Sequence, residues 1–229
     1  MRLELHWRSE NGARLPVALW RPGPGCVMIS SGVVGGGIGP RAWVLNAQVP
    51  AAYSRADPAA HVAELAAGLG LAGHGVGMLT AAQVTKVVQR GDEGVRVAAT
   101  VGLSAPTWAA APPGPSADAE RVQADGPGTI NIVVSVPVPL SDAAYVNAVI
   151  TGTEAKTQAI LDAGFRGTGT ATDAICVAAP KGGKPEEFTG PRSPWGARVA
   201  RAVYAAVRAG AARYAGQADV HPGETGRSR

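Results

Sequence analysis

A chain of 229 residues, 46% of them apolar, is long enough and greasy enough for one domain with a substantial core. Its net charge of +4, from 21 Lys and Arg against 17 Asp and Glu, is thinly spread, and only 5% of residues are aromatic, which excludes the basic face and stacking platforms of a nucleic-acid binder. No apolar run approaches the ~18 residues of a membrane span and the opening "MRLELHWRSE" lacks an apolar signal core, so a soluble, cytoplasmic protein without membrane contact is expected.

In chain order, "RLELHW" and "ARLPVALW" flank Asn11-Gly12, a pair that tolerates the positive φ of a tight turn, and read as a β-hairpin. "CVMIS" follows as a buried strand. In "ADPAAHVAELAAGLGL", Asp57 has the place of an N-cap, Pro58 that of the first helical residue, and Gly68 or Gly70 that of the stop. "GVGMLTAA" reads as a strand, and "QVTKVVQRGDEGVRVAATVGL" as a second hairpin turning at Gly91–Gly94. Residues 109–128 are mostly Ala, Pro, Gly, Ser and Asp and predict a surface loop. "TINIVVSVPVPL" is a strand closed by Pro137 and Pro139, Ser141-Asp142 caps a helix running to about Gly164, "ATDAICVA" is a further strand, and Pro194 to about Tyr214 a last helix. Hairpins with about three helices predict a single α+β or layered α/β domain with a mixed or antiparallel sheet over residues 1–216, followed by a flexible tail at 217–229.

The four histidines are far apart and Cys26 and Cys176 each sit in an apolar run, so buried thiols and no metal site are expected. "SSGVVGGGIGPRAW" lacks the Lys-Ser/Thr of a phosphate loop. From Gly37 it fits G-x-G-x-x-A, yet Pro40 removes a backbone N–H where a dinucleotide-binding helix would open. Gly35, Gly36 and Gly37 therefore make either a bend with close backbone approach or a backbone wall against a large ligand, with Ser30 and Ser31 beside it.

On the helix after Ser141, helical spacing puts Val146, Val149, Ile150, Thr153, Thr157, Ile160 and Leu161 on one stripe facing the sheet, with Glu154 and Lys156 on its flanks, either solvated or reaching a pocket. Strand alternation sets Thr129 and Asn131 on one face and Ile130 and Ile132 on the other, making Asn131 a structural clip or a donor toward a carbonyl. Thr168, Thr170 and Thr172 would share a face opposite Asp173 in an extended chain. Gly167 and Gly169 let the segment bend, so that the hydroxyls can surround that carboxylate.

In order along the chain, "SSGVVGGG", "WVLNAQVP", "LTAA", "ATVGL", "GTINIVV", "TEAKTQAILDAG", "GTGTATDAICVA" and "GPRSPWGARVARAV" resemble the adenosylcobinamide amidohydrolase family. The resemblance extends from about Cys26 to Gly210. It implies a corrinoid substrate, adenosylcobinamide, and hydrolysis of the amide between corrin ring and aminopropanol arm to give adenosylcobyric acid. It brings no catalytic assignment, so roles follow from chemistry. An amide hydrolase without a G-x-S-x-G elbow needs a base for water and donors for the oxyanion. The expected set is Asp173 or Glu154 as base, Asn131 and a threonine hydroxyl as donors, and Lys156 against developing charge, without cofactor. Thr129 is the alternative nucleophile, should the Gly128–Thr129 bond be cut to free its amine. Substrate lining is expected from Ser30, Ser31, Gly35, Gly36, Gly37, Asn46, Thr168, Thr170, Thr172 and Trp195 or Trp108. A non-catalytic corrinoid or nucleotide carrier is the rival reading, and a homo-oligomer is compatible with either.

Overall fold

The computed structural model describes residues 1–112 and 128–218, so most of the 109–128 loop and of the tail lies outside the described residues. Asn11 (φ 50°) and Gly12 (φ 79°) supply the left-handed pair that joins β1 (Leu3–Glu10) to β2 (Ala13–Trp20) in register from Leu3↔Trp20 to Glu10↔Ala13. β2 pairs antiparallel with β5 (Val44–Gln48), which runs parallel to β6 (Val76–Thr80) through the crossover helix α1 (Pro58–Gly68), giving a four-stranded sheet β1-β2-β5-β6. The remaining strands are β3 (Cys26–Ser30), β4 (Gly37–Pro40), β7 (Val88–Asp92), β8 (Val95–Val101), β9 (Ile130–Ser135) and β10 (Ala174–Pro180). They form a six-stranded sheet in the order β4-β3-β10-β9-β8-β7, antiparallel except where β9 and β10 are joined through α2 (Asp142–Asp162). The last helix, α3 (Pro194–Ala218), lies beside α2.

Alternation along the strands divides the core into layers. Ile130, Ile132 and Val134 of β9, with Ile175 and Val177 of β10, pack under α2 and α3. The opposite face sends Val133, Cys176 and Ala178 against Trp20, Val44 and Met78 of the smaller sheet. That sheet's outer side, Leu19, Leu45 and Ala47 among others, packs with Ala66 of α1. The result is four layers, helices–sheet–sheet–helix, an α+β architecture with mixed sheets and three helices, and a polar side chain on an inward strand position falls between the two sheets.

The stripe expected on α2 is rotated. Its buried face is Ala144, Tyr145, Ala148, Thr151, Gly152, Ala155, Lys156, Ala159 and Ile160, while Val146, Ile150 and Leu161 are 46%, 49% and 42% exposed. The small residues win because the helix approaches the sheet closely: a Cβ on Gly152 would stand 2.6 Å from Ile175 Cδ1. Lys156 thereby moves from the flank to the buried face, and Glu154 to solvent. Asp57 occupies the N-cap position of α1 but makes no capping bond, because its carboxylate is held by Arg55.

Candidate active site

Between the sheets, where β5 and β6 end and β9 and β10 begin, lies a cavity of about 400 Å³. Its apolar lining includes Val33, Val49, Pro50, Ala51, Met78 and Leu79. Its polar lining includes Ser31, Thr80, Thr129, Asn131, Thr172 and Asp173, together with Tyr53.

Asp173 anchors this end of the larger sheet. Its Oδ1 accepts from Ile130 N at 2.9 Å and from the Thr170 hydroxyl, and its Oδ2 from Lys156 Nζ at 2.5 Å and Thr170 N at 3.1 Å. Four donors saturate a carboxylate. The Lys156 and Asp173 side chains are 11% and 14% exposed, so the ion pair is largely desolvated but hydrogen-bonded on both oxygens. The loop before β10 is bent, as its glycines allow. A side chain on Gly169 would collide with both Asp173 Oδ2 and Lys156 Nζ, so only glycine lets the pair form across that backbone.

The threonines diverge in what they do. The Thr172 hydroxyl donates to Gly128 O at 3.2 Å, and Thr129 Oγ1 lies 2.7 Å from it. Since a carbonyl can only accept, Thr172 donates there and Thr129 donates to Thr172, leaving the Thr129 lone pairs open. Thr168 is spent elsewhere: its Oγ1 accepts from Ala109 N and donates to Thr107 O.

Asn46 and Asn131 join the two sheets. Asn131 Nδ2 donates to Asn46 Oδ1 and to Leu79 O, both at 2.9 Å, and Asn46 Nδ2 donates to Thr100 Oγ1 at 3.0 Å. Both Asn131 amide protons are thus committed inside the protein, which is the clip, and its Oδ1 has no hydrogen-bond partner among the described residues. Among the described lining residues, Ser31 and Thr80 have hydroxyl protons left to point at a ligand, since their oxygens accept from Ile175 N and Ala82 N. Thr80 was hidden in "LTAA", with only its place at a strand end as a signal.

Other expected lining residues lie apart from the cavity. The Ser30 hydroxyl accepts from Gly32 N and is buried. Gly35 packs on the backbone of Gly75, and Arg41 binds the carbonyls of Gly35 and Gly36, so these glycines, with Gly37 opening β4, make the tip of a hairpin docked on β6. Trp195 packs with the helical core under Arg198, and Trp108 is 44% exposed. Glu154 is exposed on α2 and does not line the cavity. Lys156 meets the cavity only through Asp173.

Among the described residues no three His, Cys, Asp or Glu gather as metal ligands, and no helix is long and apolar enough to cross a membrane. Burial raises the Cys26 thiol to about 11, and complete burial pushes Cys176 further up, so neither resembles an activated nucleophile.

What the layers and the cavity define is an α+β protein with a hydroxyl-rich pocket and one anchored carboxylate between two sheets. Residues 3–219 match the model of the adenosylcobinamide amidohydrolase family, and the chain belongs to that enzyme family. It is 42% identical over 120 residues to an adenosylcobinamide amidohydrolase of Halobacterium salinarum, covering 50% of this chain and 49% of that protein. Over 177 residues it is 29% identical to one of Methanosarcina mazei, covering 73% of this chain and 82% of the relative. An uncharacterized protein of Methanocaldococcus jannaschii is 37% identical over 95 residues, 38% of this chain and 36% of its own length.

Proposed function

We propose that this protein hydrolyses the amide joining the corrin ring of adenosylcobinamide to its aminopropanol arm, releasing adenosylcobyric acid and aminopropanol. The observation that carries the reading beyond family membership is the cavity itself: its lining combines apolar side chains suited to a corrin edge with hydroxyls and Asp173, the one carboxylate among its described lining residues. A pocket of about 400 Å³ takes the arm and the ring edge that bears it, with the rest of the macrocycle at the mouth.

In this reading Asp173 is the base. Letting go of the Thr170 hydroxyl opens a lone pair on Oδ1 for a water proton, while Ile130 N, Thr170 N and Lys156 keep the carboxylate in place. The Thr129 lone pairs hold the attacking water, and the free protons of Ser31 and Thr80 meet the carbonyl oxygen as it gains charge. Lys156 acts through Asp173 as a positioning residue. Incubation of the pure chain with adenosylcobinamide, followed by chromatography of the corrinoid and derivatisation of free amine, tests the proposal. Equimolar adenosylcobyric acid and aminopropanol are expected, whereas tight corrinoid binding with neither product favours a carrier.

A further inference from the structure

Among the residues lining the cavity, Tyr53 belongs to a partly buried chain of groups that the steps above do not use. It lies in the loop between β5 and α1 and lines the cavity. Its hydroxyl is 3.0 Å from Nδ1 of His61, a ring only 3% exposed on α1, and the two rings stack with centroids 5.5 Å apart. His61 Nε2 is 3.3 Å from Glu10 Oε2 at the end of β1. Glu10 is fixed in turn by Arg8, through Nε at 3.1 Å and Nη2 at 2.7 Å. The end of β1 thus meets the loop and helix that follow β5, placing an imidazole between a phenol and a carboxylate.

We infer that Tyr53 is the acid that protonates the departing aminopropanol nitrogen, with His61 and Glu10 as the positioning residues that resupply its proton; the inference rests on the amidase reading above. A carboxylate can only accept, so in the neutral ring the proton sits on Nε2 toward Glu10, and Tyr53 donates to Nδ1. In the doubly protonated ring Nδ1–H becomes a donor to the Tyr53 oxygen, and the phenol proton turns toward the cavity. As the tetrahedral C–N bond breaks, that proton passes to nitrogen while the Nδ1 proton passes to the phenolate oxygen, leaving neutral His61, a neutral phenol and free amine. Solvent then recharges the imidazole. Burial raises the phenol's pKa, which keeps it protonated until it is used. The charged groups facing the pair are Arg8 and Glu10 from β1, Arg55 and Asp57 from the loop, and Glu64 from α1. Arg55 bridges Asp57 and Glu64, which leaves Glu10 as the carboxylate in contact with the ring.

The test compares two substrates in the full chain: adenosylcobinamide, whose alkyl amine must be protonated to leave, and a p-nitrophenyl ester of adenosylcobyric acid, whose leaving group needs no proton. Tyr53→Phe should lower kcat on the amide by roughly 10²-fold or more and leave the ester rate within about 3-fold, with unchanged melting and corrinoid binding. His61→Gln, which breaks the link to Tyr53, should likewise slow the amide and spare the ester. A Tyr53→Phe enzyme as fast as wild type on the amide, or slowed equally on both substrates, overturns the inference without touching the amidase reading. A wild-type chain that releases no aminopropanol refutes the amidase reading, and the inference falls with it.

Discussion

Asp173→Asn keeps the shape of the side chain and removes half of its accepting capacity. Each carboxylate oxygen takes two donors, Ile130 N and Thr170 Oγ1 on Oδ1, Lys156 Nζ and Thr170 N on Oδ2. An amide has one oxygen and one NH₂, so two donors face N–H bonds whichever way it turns. The better orientation puts NH₂ at Oδ1, because the Thr170 hydroxyl can reverse and accept while Lys156 keeps an oxygen. Ile130, fully buried at the start of β9, then has an unpaired N–H, which costs about 1–3 kcal/mol. The Lys156 bond loses its charged acceptor, roughly 1–2 kcal/mol more. The sum, about 2–5 kcal/mol, corresponds to a fall in Tm of roughly 5–20 °C for a chain of this size. Circular dichroism gives the melting curve, and turnover is then measured well below the variant's transition. A folded variant that binds corrinoid and releases no aminopropanol is expected. A loss under about 1 kcal/mol would refute the four-donor cradle, and turnover within about 3-fold of wild type would refute Asp173 as base.

Lys156→Met removes one of four donors and an ammonium that is mostly shielded from water. It should destabilise by about 2–3 kcal/mol, and a double-mutant cycle with Asp173→Asn should give a coupling above about 1 kcal/mol; additive losses would mean that the pair is not formed. Turnover by Lys156→Met should fall with kcat rather than KM, since the lysine holds the base and not the substrate, and an unchanged rate would reduce it to a packing residue. Activity should survive EDTA once the substrate's own cobalt is accounted for; loss restored by one added metal would contradict the hydroxyl-and-carboxylate reading. The active chain should keep its intact mass of 23.1 kDa, whereas a required cut at Gly128–Thr129 would make Thr129 the nucleophile. With the Cys26 thiol at about 11, its thiolate at neutral pH is on the order of 10²-fold scarcer than that of free cysteine, so iodoacetamide should label it slowly and leave turnover intact. Rapid inactivation would place a reactive thiol at the site.

Much of the chain was legible because its punctuation is chemical. Asn11-Gly12, Ser141 as an N-cap that accepts from Ala144 N, and the alternation of Ile130, Asn131 and Ile132 each carry their own local physics, and each is found where it was expected. β4 and β5 were not read as strands, since "GIGP" has little apolar content and "VLNAQ" little alternation. Their pairing is decided by neighbours, β3 for the one and β2 and β6 for the other. The α2 face was misjudged for a related reason: periodicity marks the largest side chains, whereas a helix packed closely on a sheet and on α3 selects the smallest.

The site was legible only where one short segment contains both partners. "GTGTATD" holds Thr170 and Asp173 three residues apart, and glycine spacing alone suggests that they meet. Asn131 looked like a donor because an amide in an apolar strand must be paired, but its partner, Asn46, is 85 residues earlier and on the other sheet. Tyr53, His61 and Glu10 had no signal at all, since a lone histidine on a helix gains meaning only when a hairpin end is brought beside it. The two-sheet architecture therefore does more than enclose a pocket. It brings the inward polar positions of separate strands to one end of a dry interface, where an unpaired amide, hydroxyl or carboxylate is costly. A residue of that kind must be tied into a network, as Asn46, Asp173 and the Asn131 NH₂ are, or left facing the cavity with capacity to spare, as Ser31, Thr80 and Thr129 are. By that distinction the first group is expected to govern stability and the second turnover, with Asp173, which belongs to both, affecting the two together.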